Sequence, residues 1–397
     1  MVVKSMIELK AKFNNAKVFT DNIDAETISQ IMLLLNQEFA KDNKIRIMPD
    51  THAGSGCVIG TTMTIKDKIV PNLVGVDIGC GMHAVKLKEK EIDLSALDEV
   101  IEKYIPSGAN IHELMASPYD LDDIIAPIDK ERARRSIGTL GGGNHFIEVN
   151  RDSEGYLWLV IHTGSRHLGI EICKHYQDLA YKTLKGRGDV VKDIIEKLKA
   201  EGRQREIESA IKTIKEKEIT IPKDLCYLEG DNFKNYIHDM NLAQKYALTN
   251  RMHIADGIMR LLFLHEEERF DTIHNYIDID NMILRKGAIS AQAGEKVIIP
   301  MNMRDGSLIC VGKGNPDWNY SAPHGAGRVM SRSKAKETIN MHDFKDSMKD
   351  IYSTSVVEST IDEAPMAYKP MDEIIENIKD TVDVIDIIKP IYNFKAH

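Results

Sequence analysis

An aspartate and a cysteine stand three residues apart, between glycines and directly before a predicted strand, in the segment VDIGCG at residues 76–81. From a tight turn, the carboxylate of Asp77 and the thiol of Cys80 can reach one metal ion, and the flanking glycines let the backbone pass close to a bound group. A lone intracellular cysteine is more often a small buried apolar side chain. This segment therefore indicates a metal site only if other ligands join it.

Four further segments place a histidine beside a turn residue or after a predicted strand: GGGNHFIE at 141–148, VIHTGSR at 160–166, IHNY at 273–276 and APHGAGR at 322–328. One carboxylate, one thiolate and three imidazoles can then meet, namely those of Asp77, Cys80, His145, His162 and His274. Such a set suits a borderline-soft divalent ion such as manganese, zinc, cobalt or iron, and a thiolate can bridge two ions. Singly, each histidine is more often a hydrogen-bonded core residue, but together the five side chains favour a metal centre.

The candidate site residues run from Asp77 to Lys395, almost to the end of the 397-residue chain. A chain of this length would ordinarily form about two or three domains. Because residues that share one site must fold together, the sequence instead predicts a single large catalytic domain over residues 1–397. Its predicted class is α+β, with a mainly helical insertion at about residues 168–270.

Apolar segments separated by glycine-rich turns predict a β-rich scaffold. The predicted strands include residues 45–49, 60–65, 82–87, 146–149, 156–161, 288–291, 296–300 and 307–312. Helical periodicity predicts helices from the cap Asp24 to about Phe39, at 93–104, from Asp231 to about Glu266, and over the amphipathic segment Met371–Lys389. The polar cluster Pro49–Cys57 contains its own aspartate and histidine, which either line the site or form an ordinary turn.

The net charge and the number and spacing of the cysteines indicate which partners and which cellular compartment to expect. The net charge of −9 indicates no global affinity for nucleic acid, so RNA contacts must use a local basic surface. The charged stretch 168–217 favours a solvated helix face over an RNA-gripping surface. Five cysteines without a CxxC pair argue against a disulfide framework or a structural zinc site and favour a reducing compartment. Because no signal-peptide core and no run of 18 apolar residues is present, we expect a soluble cytoplasmic protein without membrane contact.

The segment His324–Arg328 has the parts of a nucleotidyl-transfer site. A neutral imidazole can attack an α-phosphate to give a phosphoramidate, an intermediate that can still pass the nucleotide onward. Two glycines leave backbone N–H groups accessible to phosphate oxygens. The guanidinium of Arg328 offsets the negative charge of the phosphate. A glycine-rich structural turn is the alternative interpretation of the same segment.

Taken together, these segments resemble the RtcB family of RNA-splicing ligases. The motifs VDIGCG, GGGNHFIE, HTGSR, HNY, RKGA, HGAGRVMSR and DEAPMAYKP, and the near-terminal Lys395, occur in the order of that family and span almost the whole chain. The resemblance implies a mixed α/β fold and a ligase that depends on GTP and manganese. Such a ligase joins an RNA 3′-phosphate or 2′,3′-cyclic phosphate end to a 5′-hydroxyl end.

The resemblance also implies roles for individual residues. His324 matches the histidine that becomes guanylylated, and Asp77, Cys80, His145, His162 and His274 match the ligands of two manganese ions, with Cys80 as the bridge. Glu148 and Lys395 are expected to read the guanine base. The full set of implied nucleotide contacts is Asn144, His145, Phe146, Ile147, Glu148, His274, Asn275, Pro300, Met301, Asn302, Met303, Ser307, His324, Gly325, Ala326, Gly327 and Lys395.

The chain departs from the family pattern in one loop. Where the family commonly reads PGSMG, this chain has Pro300-Met301-Asn302-Met303-Arg304, so that Asn302 replaces a serine and Arg304 a glycine. Ser307 is in register with a further family serine. We expect the departure to alter nucleotide contacts or end preference. The loop and the compact, bacterial-type length favour RNA repair over dedicated tRNA splicing.

Two other functional classes compete with the ligase. A metal-dependent phosphoesterase would use the same ligands to open cyclic phosphates without needing His324, so a His324→Ala variant would separate the two. A non-enzymatic RNA-binding module is the third functional hypothesis, because RNA binding alone does not explain the set of metal ligands. The expected oligomeric state is a monomer by default, and the sequence does not identify an activating protein.

Overall fold

Antiparallel strands make up most of the scaffold. The structure is a computed structural model that describes residues 6–115, 118–185, 195–208 and 221–396. The strands in these ranges are β1 (Ile7–Lys10), β2 (Asn15–Val18), β3 (Ile45–His52), β4 (Ile59–Thr64), β5 (Gly81–Leu87), β6 (Phe146–Arg151), β7 (Leu157–Thr163), β8 (Glu266–Ile273), β9 (Asn275–Asp278), β10 (Ile283–Lys286), β11 (Ala288–Ser290), β12 (Lys296–Asn302), β13 (Gly306–Gly312), β14 (Ser321–Pro323) and β15 (Val382–Phe394). The strands predicted above are confirmed, with small shifts at their ends.

The strands form two large sheets and one small one. A six-stranded sheet has the order β1-β2-β3-β4-β10-β9, a seven-stranded sheet has the order β12-β13-β15-β6-β7-β5-β8, and β11 pairs with β14. The edge strands β12 and β8 of the seven-stranded sheet approach each other, because the Ile298 N–H donates to Thr272 Oγ1 at 3.4 Å and Lys296 forms an ion pair with Glu268. This sheet therefore curls toward a barrel, whose apolar filling includes Met82, Ala84, Trp158, Val160, Ile298 and Ile309.

Helices pack around the sheets, which gives the α+β architecture that the sequence predicts. Their bounds are Ala25–Leu35, Leu94–Tyr104, Lys130–Arg135, Arg166–Lys185, Gly230–Leu261, Arg332–Thr338, Met341–Ser347 and Met371–Ile378. The predicted cap Asp24 is confirmed, since its carboxylate accepts the Thr27 N–H at 2.7 Å. No helix in the described ranges is both long and apolar enough to cross a bilayer.

Two predicted helices end earlier than expected. The first stops at Leu35 instead of Phe39. The long helix Gly230–Leu261 stops before Glu266 because Phe263 adopts a left-handed φ of 55° and the Leu264 N–H donates back to the Met259 carbonyl at 2.9 Å. This hydrogen bond satisfies a carbonyl that the helix end would otherwise leave unpaired.

The predicted helix Met371–Lys389 is wrong beyond Ile378. The chain turns there and forms strand β15, which is hydrogen-bonded to β13 on one side and β6 on the other. A run rich in β-branched residues fits this central position, and a register shift at Pro390 accommodates the missing N–H of proline. Pairing with two distant strands therefore outweighed the local amphipathic pattern.

The charged stretch predicted as a solvated helix is described only in part. Its first helix, Arg166–Lys185, is present, whereas residues 186–194 and 209–220 lie outside the described residues. The alternative RNA-gripping surface on this stretch stays a prediction. The same holds for the assignment of residues 168–270 as an insertion within one domain of 397 residues.

A buried arginine ties the long helix to the seven-stranded sheet. Arg251 is 0% exposed, and its guanidinium donates to both carboxylate oxygens of Asp271 at 2.7 Å. It also donates to the carbonyl oxygens of Gly79 at 2.7 Å and Thr163 at 2.8 Å. Arg251 thus joins three segments, one of which directly precedes β5.

Replacing Arg251 is expected to destabilise the fold strongly. An Arg251→Leu variant leaves Asp271 and two carbonyl groups without their donor, which costs about 3–5 kcal/mol in the free energy of unfolding. Arg260→Leu, an exposed arginine on the same helix, is the matched control and should change it by less than about 0.5 kcal/mol. Urea denaturation of both variants measures the difference, and equal midpoints would contradict the role given to Arg251.

Candidate active site

The sheet topology brings the sequence-predicted metal ligands to one end of the seven-stranded sheet. Gly81 at the start of β5 pairs with Thr163 at the end of β7 and with Ile273 at the end of β8, and Phe146 at the start of β6 pairs with His162. Because neighbouring antiparallel strands start and end at the same edge, residues just outside these strand ends must meet.

Cys80, His145 and His162 form a compact, buried cluster. The Sγ atom of Cys80 lies 3.4 Å from Nε2 of His145 and 3.3 Å from Nε2 of His162, and one ligand atom from each residue falls within 4.8 Å of the others. Asp77 adjoins the cluster, with its Oδ2 2.9 Å from Nε2 of His145. Sulfur, nitrogen and carboxylate oxygen atoms thus converge as a divalent metal ion requires.

Backbone carbonyl groups set the tautomers of two cluster histidines. Nδ1 of His145 lies 2.9 Å from the Leu140 carbonyl oxygen, and Nδ1 of His162 lies 3.2 Å from that of Asn144. A carbonyl oxygen only accepts, so we assign the proton to Nδ1 in both rings. Each Nε2 then carries its lone pair toward Cys80, which is the orientation of a metal-binding histidine.

A buried thiol close to a partly exposed carboxylate favours a bound cation. Burial, and next the charge of Asp77, raise the pKa of the Cys80 thiol well above its usual range. Burial also lowers the pKa of His162 well below its usual range, which keeps that imidazole neutral. A divalent cation would offset the negative charge of a Cys80 thiolate and accept the neutral nitrogen atoms, so the residues fit a metal centre.

His274 lies between the cluster and His324. Its ring centroid is 5.2 Å from that of His162 and 4.8 Å from that of His324. Burial lowers the pKa of His274 well below its usual range, so this imidazole is also neutral. The structure therefore brings the five predicted ligands into one region, with His274 on the side of the predicted nucleophile.

Glycine is required where Asp77 meets strand β7. A Cβ atom added to Gly164, in the HTGSR segment, would lie 2.1 Å from Oδ1 of Asp77. Since no side chain fits in that space, the glycine lets the carboxylate reach the cluster.

Asp50 holds His324 through two contacts. Its Oδ2 lies 2.6 Å from Nδ1 of His324 and accepts the His324 backbone N–H at 3.1 Å. Asp50 is 0% exposed and lies on strand β3. The carboxylate places the proton of the imidazole on Nδ1, so that Nε2 retains its lone pair for nucleophilic attack.

Sequence reasoning missed the role of Asp50. The polar composition of Pro49–Cys57 left an ordinary turn as plausible as a site, but residues 49–52 continue β3. The available signal was an aspartate directly after an apolar strand segment. Its partner lies 274 positions further along the chain, a distance that no local pattern reveals.

A cleft of about 380 Å³ opens beside His324. Most of the predicted nucleotide contacts line it: Asn144, Phe146, Glu148, Pro300, Met301, Asn302, Met303, His324, Gly325, Ala326, Gly327 and Lys395. Ile147 instead packs in the core, and Asn275 donates to the Asp77 carbonyl oxygen and accepts the Gly287 N–H. Ser307 is buried, and its hydroxyl contacts no hydrogen-bond partner among the described residues, while the neighbouring Gly306 lines the cleft.

The deep end of the cleft carries buried charged groups. Burial raises the pKa of Glu148 to about 7, although hydrogen bonds such as the one from Nδ2 of Asn393 at 2.7 Å oppose the shift. Nζ of Lys395 lies 3.0 Å from Oε2 of Glu363. The other carboxylate oxygen of Glu363, Oε1, forms an ion pair with Arg332. Glu363 belongs to the DEAPMAYKP motif, but no local pattern indicates that it pairs with Lys395.

The departing loop forms the turn between β12 and β13. The Oδ1 atom of Asn302 accepts the backbone N–H groups of Arg304 at 3.0 Å and Asp305 at 2.9 Å, and the guanidinium of Arg304 pairs with Asp305. Met301 and Met303 are buried where they line the cleft. The replacements therefore stabilise the turn, while two methionines supply the cleft wall.

A second depression lies on the Asp77 side of the metal cluster. Its lining includes Asp77, His145, Arg132 and Arg166. Arg166 has a left-handed φ of 58° at the junction from β7 to the next helix, and it donates to Thr139 Oγ1 and to the Gly108 carbonyl. Two guanidinium groups beside the cluster suit a phosphate group.

Comparison with known proteins finds RtcB ligases, both with a family model and with individual relatives. The family model described as tRNA-splicing ligase RtcB matches residues 38–126 and 121–396. The chain is 30% identical over 401 residues to the RNA-splicing ligase RtcB of Escherichia coli (strain K12), which covers 89% of this chain and 90% of that relative. It is 28% identical over 426 residues to the tRNA-splicing ligase RtcB of Aeropyrum pernix, covering 83% of each chain.

Proposed function

Since the chain belongs to the RtcB family of tRNA-splicing ligases, it is an RNA ligase, and we propose that it uses GTP and manganese to join RNA 3′-phosphate or 2′,3′-cyclic phosphate ends to 5′-hydroxyl ends. The observation that carries the proposal is the pair of His324 and Asp50, 2.6 Å apart, at the wall of a cleft beside a metal-competent cluster. The proposed nucleophile, a cleft of about 380 Å³ and the proposed metal ligands therefore support a shared site.

The proposed first step transfers GMP to His324. The Nε2 lone pair attacks the α-phosphorus of GTP, an N–P bond forms, and the bond from that phosphorus to the bridging oxygen breaks as pyrophosphate leaves. Asp50 orients the ring through Nδ1–H and stabilises the positive charge that the attack creates on the imidazole. The backbone of Gly325–Gly327 lines the cleft, where amides can contact phosphate oxygens.

Cys80, His145 and His162 would hold metal, with Asp77 and His274 as the adjoining ligands. A bound divalent ion neutralises phosphate charge and orients the leaving group. The mixture of one thiolate with imidazoles suits a borderline-soft ion, and manganese is proposed from the family resemblance. Cys80, whose sulfur contacts both histidines, would be the thiolate donor that holds the metal in this cluster.

The proposed later steps move GMP to the RNA. An oxygen of the RNA 3′-phosphate attacks the phosphorus on His324, and the N–P bond breaks to restore the imidazole. The 5′-hydroxyl oxygen then attacks the RNA phosphorus, and GMP leaves as the strand is sealed. A cyclic phosphate is first opened by water. Arg132 and Arg166, on the Asp77 side of the cluster, are proposed to contact RNA phosphates.

The test is to supply RNA with 3′-phosphate or cyclic phosphate ends and 5′-hydroxyl ends. We expect a joined product only when both GTP and manganese are present. Opening of the cyclic phosphate without joining, and without need for GTP, would favour the alternative phosphoesterase. Capture of RNA with full affinity after metal removal, without any reaction, would favour a binding module.

The proposed biological role is RNA repair, on the strength of the departing loop at residues 301–305. A repair enzyme should join many kinds of nicked RNA at similar rates. Joining of cleaved tRNA halves at a far higher rate than other nicked RNAs would instead indicate dedicated tRNA splicing.

Loss of Asp50 should slow nucleotide transfer more than it weakens binding. In Asp50→Ala the imidazole of His324 loses its Nδ1 partner, so the rate of GMP transfer should fall about 100-fold. Asp50→Asn keeps an acceptor oxygen without the charge, and we expect an intermediate rate. Single-turnover labelling at saturating GTP measures both, and an unchanged rate in Asp50→Ala would contradict the role of Asp50.

Nucleotide affinity should increase as the pH rises through about 7. Burial raises the pKa of Glu148 to about 7, and a carboxylate must be ionised to accept hydrogen bonds from guanine. The KM for GTP should therefore fall about tenfold between pH 6 and pH 8. Glu148→Gln has no titrating carboxylate, so its KM for GTP should be high and should hardly change with pH.

Ionisation of Glu148 should strengthen GTP binding but lower the free energy of unfolding. A raised pKa means that the folded protein binds this proton more tightly than the unfolded chain. The contribution of Glu148 to the free energy of unfolding is therefore fully present below about pH 4.5 and is lost as the pH rises through about 7. Glu148→Gln should remove this part of the pH dependence in a denaturation series.

A further inference from the structure

The side chain of Asn393 is only half satisfied at the floor of the cleft. Asn393 lies on β15 directly opposite Glu148 on β6, is 1% exposed, and lines the cleft. Its amide nitrogen donates to Oε2 of Glu148 at 2.7 Å. Its amide oxygen is buried and has no hydrogen-bond partner within the described residues. A buried acceptor without a partner costs free energy unless a ligand or water fills the position.

The chemistry of the pair fixes which way the amide faces. An ionised carboxylate only accepts hydrogen bonds, so the nitrogen of Asn393 must face Glu148 and the oxygen must face away. Oε2 of Glu148 accepts the Asn393 amide N–H, and the Glu148 carboxylate lines the cleft, where a ligand can reach it. The cleft floor therefore presents two acceptors on neighbouring strands, one from the carboxylate and one from the amide.

Two adjacent acceptors select a ligand edge with two adjacent donors. The guanine base has such an edge, made of N1–H and the 2-amino group. Hypoxanthine keeps N1–H but lacks the 2-amino group, and adenine has an acceptor at N1. We propose that Asn393 is a specificity-determining residue whose amide oxygen accepts the 2-amino group of guanine while its nitrogen orients Glu148. This inference rests on the proposed use of GTP at the same site.

The inference predicts a preference within purine nucleotides. GTP satisfies both acceptors, whereas ITP leaves the oxygen of Asn393 buried and unpaired, as in the free protein. Loss of one hydrogen bond at a buried acceptor changes affinity about tenfold, so wild-type protein should be labelled by GTP with about tenfold higher efficiency than by ITP. ATP should be used less well than ITP, because its N1 acceptor faces the Glu148 carboxylate.

The experiment compares covalent labelling of the full chain by α-labelled GTP and ITP in the presence of manganese. In Asn393→Ala the efficiency with GTP should fall toward that with ITP, so that the ratio collapses from about ten to near one. A merely structural defect would lower labelling by both nucleotides and leave the ratio unchanged. Asn393→Leu fills a similar volume and supplies the same comparison if the alanine variant does not fold.

Asn43→Ala is the matched control. Asn43 is another buried asparagine, its Nδ2 donates to the Phe39 carbonyl oxygen at 3.3 Å, and it does not line the cleft. Its replacement should leave the ratio of GTP to ITP labelling near the wild-type value. Equal labelling of wild-type protein by GTP and ITP, or an unchanged ratio in Asn393→Ala and Asn393→Leu, overturns the inference. Absence of labelling by any nucleotide in the wild type would instead count against the proposed function.

Discussion

Replacing His324 by alanine is expected to abolish RNA joining, with a loss of at least about 1,000-fold in rate. The imidazole is the proposed attacking group, and the structure offers it an orienting carboxylate in Asp50 and a cleft for the nucleotide. Alanine has no nitrogen with which to form the N–P bond. The loss should therefore appear in the chemical step and not in the affinity for metal.

Metal content separates this result from general damage. The ring of His324 contacts that of His274 at a tilt of 52°, but the cluster of Cys80, His145 and His162 lies beyond it, so His324→Ala should bind manganese with nearly the wild-type stoichiometry. His265→Ala, on an exposed ring that contacts Glu89, is a control that should join RNA normally. Joining by His324→Ala at more than a few per cent of the wild-type rate would refute the histidine intermediate. Opening of cyclic phosphates by the wild-type protein without any joining would support the phosphoesterase.

Replacing Cys80 by serine should remove both metal and activity. The sulfur contacts both cluster histidines, so it is the donor on which the proposed two-ion site depends. Serine has a similar shape, but its hydroxyl is not deprotonated by a borderline-soft ion as readily as a thiol. We expect at least roughly 100-fold weaker manganese affinity and a comparable loss of joining at limiting metal.

Cys226→Ser is the matched control for that experiment. Cys226 is also buried, and its thiol donates to the Pro222 carbonyl oxygen, a contact that a serine hydroxyl can retain. This variant should bind manganese and join RNA like the wild type. Metal analysis after dialysis, together with joining assays over a series of manganese concentrations, measures both variants. Wild-type manganese affinity in Cys80→Ser would contradict the assignment of Cys80 as a ligand.

The sequence was sufficient to predict the strands that carry the cluster. Segments 82–87, 146–149 and 156–161 show apolar runs bounded by glycine, and each became a strand of the seven-stranded sheet. The candidate ligands stand at the ends of these strands, where polar residues are free to face a site. Strand order was not predictable, because it depends on pairing between segments hundreds of residues apart.

One wrong prediction and one missed contact have the same physical cause. The amphipathic pattern of Met371–Lys389 predicted a helix, yet hydrogen bonds to β13 and β6 made residues 382–394 a central strand that delivers Asn393 and Lys395 to the cleft. Asp50 followed a strand in a turn-like sequence, yet its carboxylate reaches His324 across the fold. In both cases a partner far along the chain decided the outcome over local propensity.

The most direct test of the account is incubation of the wild-type protein with α-labelled GTP and manganese, followed by denaturation. We expect a covalent label that is labile in acid and stable in alkali, as for a phosphorus–nitrogen bond to histidine, and that is absent from His324→Ala. Metal-loaded, folded wild-type protein that takes no label from GTP or from any other nucleoside triphosphate would contradict it.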